Sequence, residues 1–217
     1  MSKVLQDPVK RLTELVNLNK RYIIGLAGLP GAGKSTIAEK LCDDVNKASP
    51  GCMISLGMDG FHLPKSELRK FPNPEEALKR RGAPWTFDPI KFSNYLKNLR
   101  SKRISTWPDF QHGGGDPIED SITIPANCPI ILIEGIYTLY RENEWSKLTD
   151  CFDELWYLNT PLKVSSERII KRHQISSKLS EIAAIEKFEC NDKLNSQIVE
   201  KTKILADYLI HYEYYSS

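Results

Sequence analysis

The sequence is poor in cysteine: its 217 residues include five, which are scattered along the chain and form no Cys-x-x-Cys pair. An odd number of unclustered cysteines does not match a disulfide framework, and it does not supply the paired ligands of a structural zinc site. We therefore expect reduced thiols, most of them buried, in an intracellular protein.

The sequence also lacks any long apolar run and any marked excess of one charge. No stretch approaches the roughly 20 apolar residues that a membrane-spanning helix needs, and the N-terminal segment has no apolar core followed by a small-residue cleavage site. Its 30 lysines and arginines against 28 aspartates and glutamates leave a net charge of +2, too balanced for charge-driven binding to a polyanion. We expect a cytoplasmic protein that has neither nucleic acid nor a membrane as partner, and a homo-oligomeric state stays open.

Two motifs of guanine-nucleotide switches are missing as well. The sequence contains no Asn-Lys-x-Asp motif, which reads guanine, and no Asp-x-x-Gly switch motif. The usual chemistry of guanine specificity is therefore absent from this chain.

Apolar patterning predicts a single α/β domain. Apolar residues at helical spacing over residues 3–19 predict an amphipathic helix that packs on the core, although a membrane or partner helix stays open. This helix would make residues 1–20 a leading segment of a domain over residues 21–217. Helical stretches separate most of the apolar runs, which predicts a parallel sheet with helices on both faces. The predicted strands are residues 22–28, 52–57, 129–133, 154–158 and 206–210.

The alternating pattern breaks over residues 61–125, which contain several Pro- and Gly-rich stretches. A loop region of this length inside a compact domain usually carries function. We assign it to the binding of an acceptor substrate.

A glycine-rich loop stands between the first predicted strand of the domain and the helix that follows. It reads Gly-x-x-x-x-Gly-Lys-Ser, and its residues are Gly28, Leu29, Pro30, Gly31, Ala32, Gly33, Lys34, Ser35 and Thr36. Glycines in such a loop turn the backbone N–H groups inward around phosphate oxygens, and the helix N-terminus adds a positive dipole end. The sequence predicts that Lys34 reaches the β- and γ-phosphates of ATP and that the Ser35 hydroxyl binds Mg²⁺.

Two further strands end in a carboxylate. Glu134 follows the apolar run 129–133, and Asp59 follows the strand 52–57. Strand ends of a parallel sheet meet at one edge, so Glu134 is a candidate Mg²⁺ ligand beside the loop and Asp59 is a candidate base for a hydroxyl acceptor. The alternatives are a solvated carboxylate at Glu134 and an Asx-type turn at Asp59.

These motifs resemble the uridine kinase, pantothenate kinase and phosphoribulokinase class of P-loop kinases. The resemblance runs from about residue 22 to about residue 207 and rests on residues 28–36, 59–62 and 131–136 and on an arginine-bearing helix near residue 168. Residues 80–88 and 108–117 are similar to a uridine-kinase-like subgroup. The resemblance implies an ATP- and Mg²⁺-dependent kinase in which Asp59 is the base and the helix near residue 168 is the lid.

The lid is expected over residues 161–174. Arg168 and Arg172 are four residues apart and share one helix face, from which they could neutralise charge on the transferring phosphoryl group. The alternative is an ordinary solvated basic helix.

Several side chains are candidates for contact with the acceptor, because aromatic and polar groups on long loops suit a hydroxylated, ring-bearing ligand. Trp85 could instead belong to the core, and His112 could be a structural loop residue. The candidates are Asp59, His62, Arg81, Trp85, His112 and Asp116.

The main hypothesis is an enzyme that transfers the γ-phosphoryl group of ATP to a small-molecule hydroxyl, with uridine or cytidine as the first acceptors to test. Uridine kinases usually have Ser-Phe-Tyr after the acid, whereas this chain has Gly60-Phe61-His62, which is nearer the pantothenate kinase pattern. A pantothenate or sugar acceptor therefore stays open. From a different class, a nucleotide-dependent ATPase or switch that acts on a protein partner stays open too.

Overall fold

The protein is described by a computed structural model that covers residues 2–18, 20–101, 106–110 and 115–215. Its centre is a six-stranded sheet in which every neighbouring pair of strands is parallel. Its strands are β1 (Lys3–Val4), β2 (Tyr22–Gly28), β3 (Met53–Gly57), β6 (Ile130–Glu134), β7 (Glu154–Asn159) and β8 (Tyr208–His211). Their order across the sheet is β1, β8, β7, β2, β6, β3.

The neighbouring strands β2 and β6, in the interior of this sheet, are buried along almost their whole length. Ile23, Ile24 and Leu26 of β2 are fully buried, as are Ile130 and Leu132 of β6. A strand that is covered on both faces reads as a continuous apolar run rather than as an alternating pattern. This explains why the apolar runs of the sequence located the parallel strands.

Helices cover both faces of the sheet, as the sequence predicted. Helices α1 (Pro8–Val16) and α2 (Lys34–Ala48) pack against each other and on one face. The connections from β6 to β7 and from β7 to β8 run across the sheet in the opposite direction, so right-handed crossovers put their helices on the other face. These helices are α6 (Leu162–Ser176), α7 (Glu181–Lys187) and α8 (Lys193–Thr202), with a π-helical turn at Phe188–Asp192 before α8.

The N-terminal helix is shorter than predicted. It begins at Pro8 and not at residue 3, because Asp7 caps it by accepting a hydrogen bond from the Lys10 N–H at 2.8 Å, and a residue before proline disfavours helical backbone. Lys3 and Val4 instead pair in parallel with β8. Met1 and Asn19, at the limits of the predicted segment, lie outside the described residues.

The region 61–125 is far more regular than its Pro- and Gly-rich sequence suggested. It contains the helices α3 (Lys65–Leu68), α4 (Pro74–Lys79) and α5 (Pro89–Arg100), and an antiparallel hairpin of β4 (Thr106–Phe110) and β5 (Pro117–Thr123). Asn73 and Asp88 cap α4 and α5, and a proline follows each cap at the first helical position. The prolines that suggested loops therefore begin helices.

The other predicted boundaries of strands and helices differ from the observed ones by at most two residues. The strand predicted at residues 52–57 begins one residue later and ends at Gly57 as predicted, whereas those predicted at 129–133 and 206–210 begin and end one or two residues later. The helix predicted over 161–174 runs from Leu162 to Ser176. In the part of the chain that the structure describes, no helix is both long and apolar enough to span a bilayer.

A buried arginine just before β2 forms hydrogen bonds with two other segments of the chain. The Arg21 guanidinium donates to the backbone oxygens of Cys128 and Leu99 at 3.1 Å each, and to those of Pro125 and Ala126 at 3.1 Å and 2.9 Å. Arg21 is 6% exposed, and this burial lowers the pKa of its guanidinium below the ordinary value. One side chain thus satisfies carbonyls from the end of α5 and from the segment before β6.

We predict that Arg21→Met lowers the free energy of unfolding by about 2 to 4 kcal/mol, because methionine keeps the apolar stem but leaves these carbonyls without a donor. Urea denaturation measures the change. The exposed Arg69 provides the matched control, and Arg69→Met should change stability by less than about 0.5 kcal/mol. Equal stability losses in the two variants would show that the carbonyl contacts of Arg21 contribute little.

Candidate active site

The glycine-rich loop joins β2 to α2 in the conformation that an anion-binding loop requires. Gly31 and Gly33 have φ angles of 76° and 95°, which residues with a side chain rarely adopt. Gly33 is the N-cap of α2, and no side chain caps this helix. The positive end of α2 therefore faces the loop, and the loop fits the phosphates of a nucleotide.

Lys34 is buried in the loop. Its Nζ donates to the backbone oxygens of Gly28 and Leu29 at 3.1 Å each, and the residue is 8% exposed. Burial lowers the pKa of Lys34 from its ordinary value of 10.5; nearby Glu134 and Asp59 oppose this change, and Arg172 adds to it. The ammonium group is therefore held inside the loop and close to both strand-end carboxylates.

Helix α6 packs directly on the loop. A Cβ atom added at Gly31 would lie 2.4 Å from the Ser165 backbone oxygen, so only glycine permits this contact. The Ala32 backbone oxygen accepts hydrogen bonds from Thr160 Oγ1 at 2.9 Å and from Arg168 Nη1 at 3.2 Å. The predicted lid helix thus carries Arg168 to the loop, and Arg172 lies one turn further along.

The two residues predicted to bind Mg²⁺ touch each other. Ser35 Oγ donates to Glu134 Oε1 at 2.8 Å, which joins the first turn of α2 to the end of β6. The described residues contain no cluster of three or more His, Cys, Asp or Glu side chains that could hold a metal by themselves. A hydroxyl and one carboxylate beside a phosphate loop fit Mg²⁺, which proteins usually hold through few side chains together with substrate phosphates and water.

Asp59 lies on a 3₁₀ turn, Met58–Phe61, directly after β3. Two contacts from the hairpin hold this turn: Trp107 Nε1 donates to the Gly57 oxygen at 2.8 Å, and a Cβ atom at Gly60 would lie 2.2 Å from the Pro108 oxygen. Asp59 lines a cavity of about 170 Å³ together with Ser35 and Glu134. The Asp59 carboxylate, the two predicted Mg²⁺ ligands and the loop therefore meet at one opening.

His62 lies in an aromatic stack beside this cavity. Its ring centroid is 3.9 Å from that of Phe87 and 4.7 Å from that of Phe110. Its Nδ1 is 2.8 Å from the Asp59 backbone oxygen. The histidine thus contacts the main chain of the residue predicted to be the base.

The other residues predicted to contact the acceptor are Arg81, Trp85, His112 and Asp116, and their surroundings differ. Arg81 donates to Asp116 Oδ1 at 2.9 Å, and this ion pair joins two residues that were predicted separately. Hydrogen bonding from the Lys65 N–H and the charge of Arg81 lower the pKa of Asp116. Trp85 is 45% exposed, packs on Phe71 and does not line the cavity of Asp59. His112 lies outside the described residues.

Several residues that line this cavity were not predicted as site residues, among them Glu39, Asp109 and Phe110. Glu39 had a usable signal, since it lies four residues after Ser35 and so on the same face of α2. Asp109 and Phe110 lie within the segment 108–117 that carried part of the family resemblance, but the β4–β5 hairpin that brings them to the cavity was not predicted.

The parallel sheet, the glycine-rich loop after β2 and the strand-end carboxylates define a P-loop nucleotide-binding domain. The model of the phosphoribulokinase/uridine kinase family matches residues 23–188. The chain belongs to this family and is a P-loop kinase.

Individual relatives support the same assignment. A Schizosaccharomyces pombe protein, provisionally named a uridine kinase, is 35% identical over 204 residues, which is 92% of this chain and 87% of the relative. The ATP-dependent kinase YFH7 of Zygosaccharomyces rouxii is 31% identical, and the match covers 91% of this chain but 59% of YFH7. A crystal structure from Silicibacter sp. TM1040, provisionally described as a fructose transport system kinase, superimposes with a TM-score of 0.81 at 27% identity and covers 94% of this chain and 98% of the other.

We predict that Lys34→Met weakens ATP binding about 30-fold or more and leaves the fold intact, because methionine fills the space of the lysine stem but carries no charge for the phosphates. Calorimetric titration with ATP measures the affinity, and circular dichroism checks the fold. Lys40→Met, at an exposed position of the same helix, is the matched control. ATP affinity equal to wild type in the Lys34 variant would remove Lys34 from the phosphate site.

Proposed function

We propose that the protein is a small-molecule kinase that transfers the γ-phosphoryl group of ATP to a hydroxyl group, with Mg²⁺ as cofactor and a nucleoside such as uridine or cytidine as acceptor. The observation that carries this proposal is the shared cavity of Ser35, Asp59 and Glu134 beside the loop that holds Lys34. A phosphoryl donor and a hydroxyl acceptor need such a common opening.

On this proposal the basic groups act on the nucleotide. The loop N–H groups and Lys34 hold the phosphates, while Arg168 and Arg172 neutralise charge that develops on the transferring group. Ser35 and Glu134 hold Mg²⁺, which would neutralise phosphate charge when bound. The packing of α6 on the loop supports this assignment, since it already brings Arg168 to the Ala32 oxygen.

Asp59 acts as the base. Its carboxylate accepts the proton of the acceptor hydroxyl while the new O–P bond forms, and the O–P bond to ADP breaks. The hairpin contacts at Gly57 and Gly60 support this role, because they fix the turn that presents Asp59 to the cavity.

A sugar acceptor is the second candidate. The structural relative from Silicibacter is described as a fructose transport system kinase, and the Gly60-Phe61-His62 motif favours acceptors other than uridine. A pantothenate acceptor rests on that motif alone. A switch that acts on a protein has less support, because it would not need a cavity lined by Asp59.

The decisive experiment incubates purified protein with ATP, Mg²⁺ and a panel of nucleosides, sugars and vitamins, and identifies phosphorylated products by mass. Uridine or cytidine monophosphate among the products is the expected result. ATP consumption without any phosphorylated product would favour the ATPase alternative.

We predict that Ser35→Ala and Glu134→Gln each raise the Mg²⁺ concentration needed for half-maximal rate by about 10-fold or more, because each removes an oxygen ligand or its charge. A Mg²⁺ titration of the initial rate measures this shift. Ser146→Ala and Glu186→Gln make the same chemical changes far from the loop and should leave the titration unchanged. An unshifted titration in both site variants would place Mg²⁺ elsewhere.

We predict that Asp59→Asn lowers turnover roughly 100- to 10,000-fold, because the amide keeps the size of the side chain but cannot accept the proton. ATP affinity should change little, since the loop and not this carboxylate holds the phosphates. Rate and nucleotide affinity are measured on the same preparation, with Asp44→Asn as control. If affinity falls in step with rate, Asp59 binds the metal and is not the base.

A further inference from the structure

The cavity at Asp59 has an acidic wall. Among the residues of the described chain that line it, none is a lysine, arginine or histidine, and four are carboxylates: Glu39, Asp59, Asp109 and Glu134. This distribution of charge bears on which acceptors can enter. The inference drawn from it rests on the function proposed above.

Two of the four carboxylates have tasks in the proposed reaction, and two do not. Glu134 contacts Ser35 and Asp59 is the base, whereas Glu39 on α2 and Asp109 on β4 have no such role. Asp109 Oδ1 accepts a hydrogen bond from the Phe110 N–H at 2.7 Å. Neither Glu39 nor Asp109 forms an ion pair with another described residue.

The basic residues near the cavity are already engaged elsewhere. Arg81 donates to Asp116 and, at 2.9 Å and 3.2 Å, to the backbone oxygens of Gly115 and Leu63. Its guanidinium carbon lies 5.3 Å from the centroid of the Phe110 ring. Lys34 and Arg168 bond to carbonyls of the phosphate loop, on the nucleotide side.

We infer that the acceptor is an uncharged hydroxyl compound, and that Glu39 and Asp109 are specificity-determining residues that repel acceptors bearing a carboxylate or a phosphate. An anion beside Glu39 and Asp109 would meet like charges, and neither carboxylate has an ion-pair partner among the described residues. Phe110 adds an aromatic surface for a neutral ring. Together the two carboxylates should lower kcat/KM for an anionic acceptor about tenfold, because each exposed charge contributes a modest repulsion at close range.

The test compares acceptors that differ in one charge and little else. Three acid and amide pairs represent the candidate classes: 5-carboxyuridine with 5-carbamoyluridine, pantothenate with its primary amide, and glucuronate with glucuronamide. For each pair that yields a phosphorylated product, the ratio of kcat/KM for the amide to that for the acid is measured. We expect this ratio to be at least about tenfold in the wild type.

The double variant Glu39→Gln/Asp109→Asn should reduce this ratio about tenfold, toward one. A ratio cancels any general loss of activity in the variant. The double variant Asp150→Asn/Glu186→Gln changes net charge equally at exposed sites outside the cavity, and its ratio should match the wild type. High salt should reduce the wild-type ratio as well, because exposed charges are screened.

The outcomes separate the two proposals. If the wild type makes products but prefers the acids, or if the Glu39 and Asp109 variant keeps the wild-type ratio, the charge inference is wrong and the kinase function stands. If neither these pairs nor the wider acceptor panel gives a phosphorylated product, the proposed function fails and the inference fails with it.

Discussion

The site depends on the parallel register of three neighbouring strands. Glu134 at the end of β6 is the Cα partner of Leu26 on β2 and of Gly57 on β3. Because parallel strands end at the same edge of a sheet, this register brings the loop after β2 and the turn after β3 to either side of Glu134. The hydrogen bond from Ser35 to Glu134 then joins the loop helix to the central carboxylate. No single segment of the chain could assemble this set of groups.

The hairpin β4–β5 lies outside the main sheet and lines the cavity of Asp59. Trp107 and Pro108 hold the turn of Asp59, and the next two residues, Asp109 and Phe110, line the cavity. The same short strand therefore fixes the orientation of the proposed base and contributes to the chemical character of the opening. Under the proposed function this hairpin serves the acceptor, whereas the loop after β2 holds the nucleotide.

Basic and acidic side chains lie on different sides of the site. Lys34, Arg168 and Arg172 gather at the loop and the helix α6 that packs on it, whereas Glu39 and Asp109 lie on the acceptor wall. The near neutrality of the whole chain, with a net charge of +2, conceals this local separation. Under the proposed function the phosphates of the nucleotide meet basic groups, and the acceptor meets acidic ones.

The sequence by itself determined the loop, the parallel strands that are buried on both faces, and the strand-end carboxylates Asp59 and Glu134, because each of these is encoded in a few consecutive residues. It did not reveal α4 or α5, because the prolines that follow the caps Asn73 and Asp88 and begin these helices resemble prolines that interrupt helices. It did not reveal the β4–β5 hairpin either. The burial of Lys34, the ion pair of Arg81 with Asp116 and the wall of Glu39 and Asp109 were decided by tertiary structure alone. Each depends on segments that are distant in the chain and meet only when the sheet, the lid helix and the hairpin pack together.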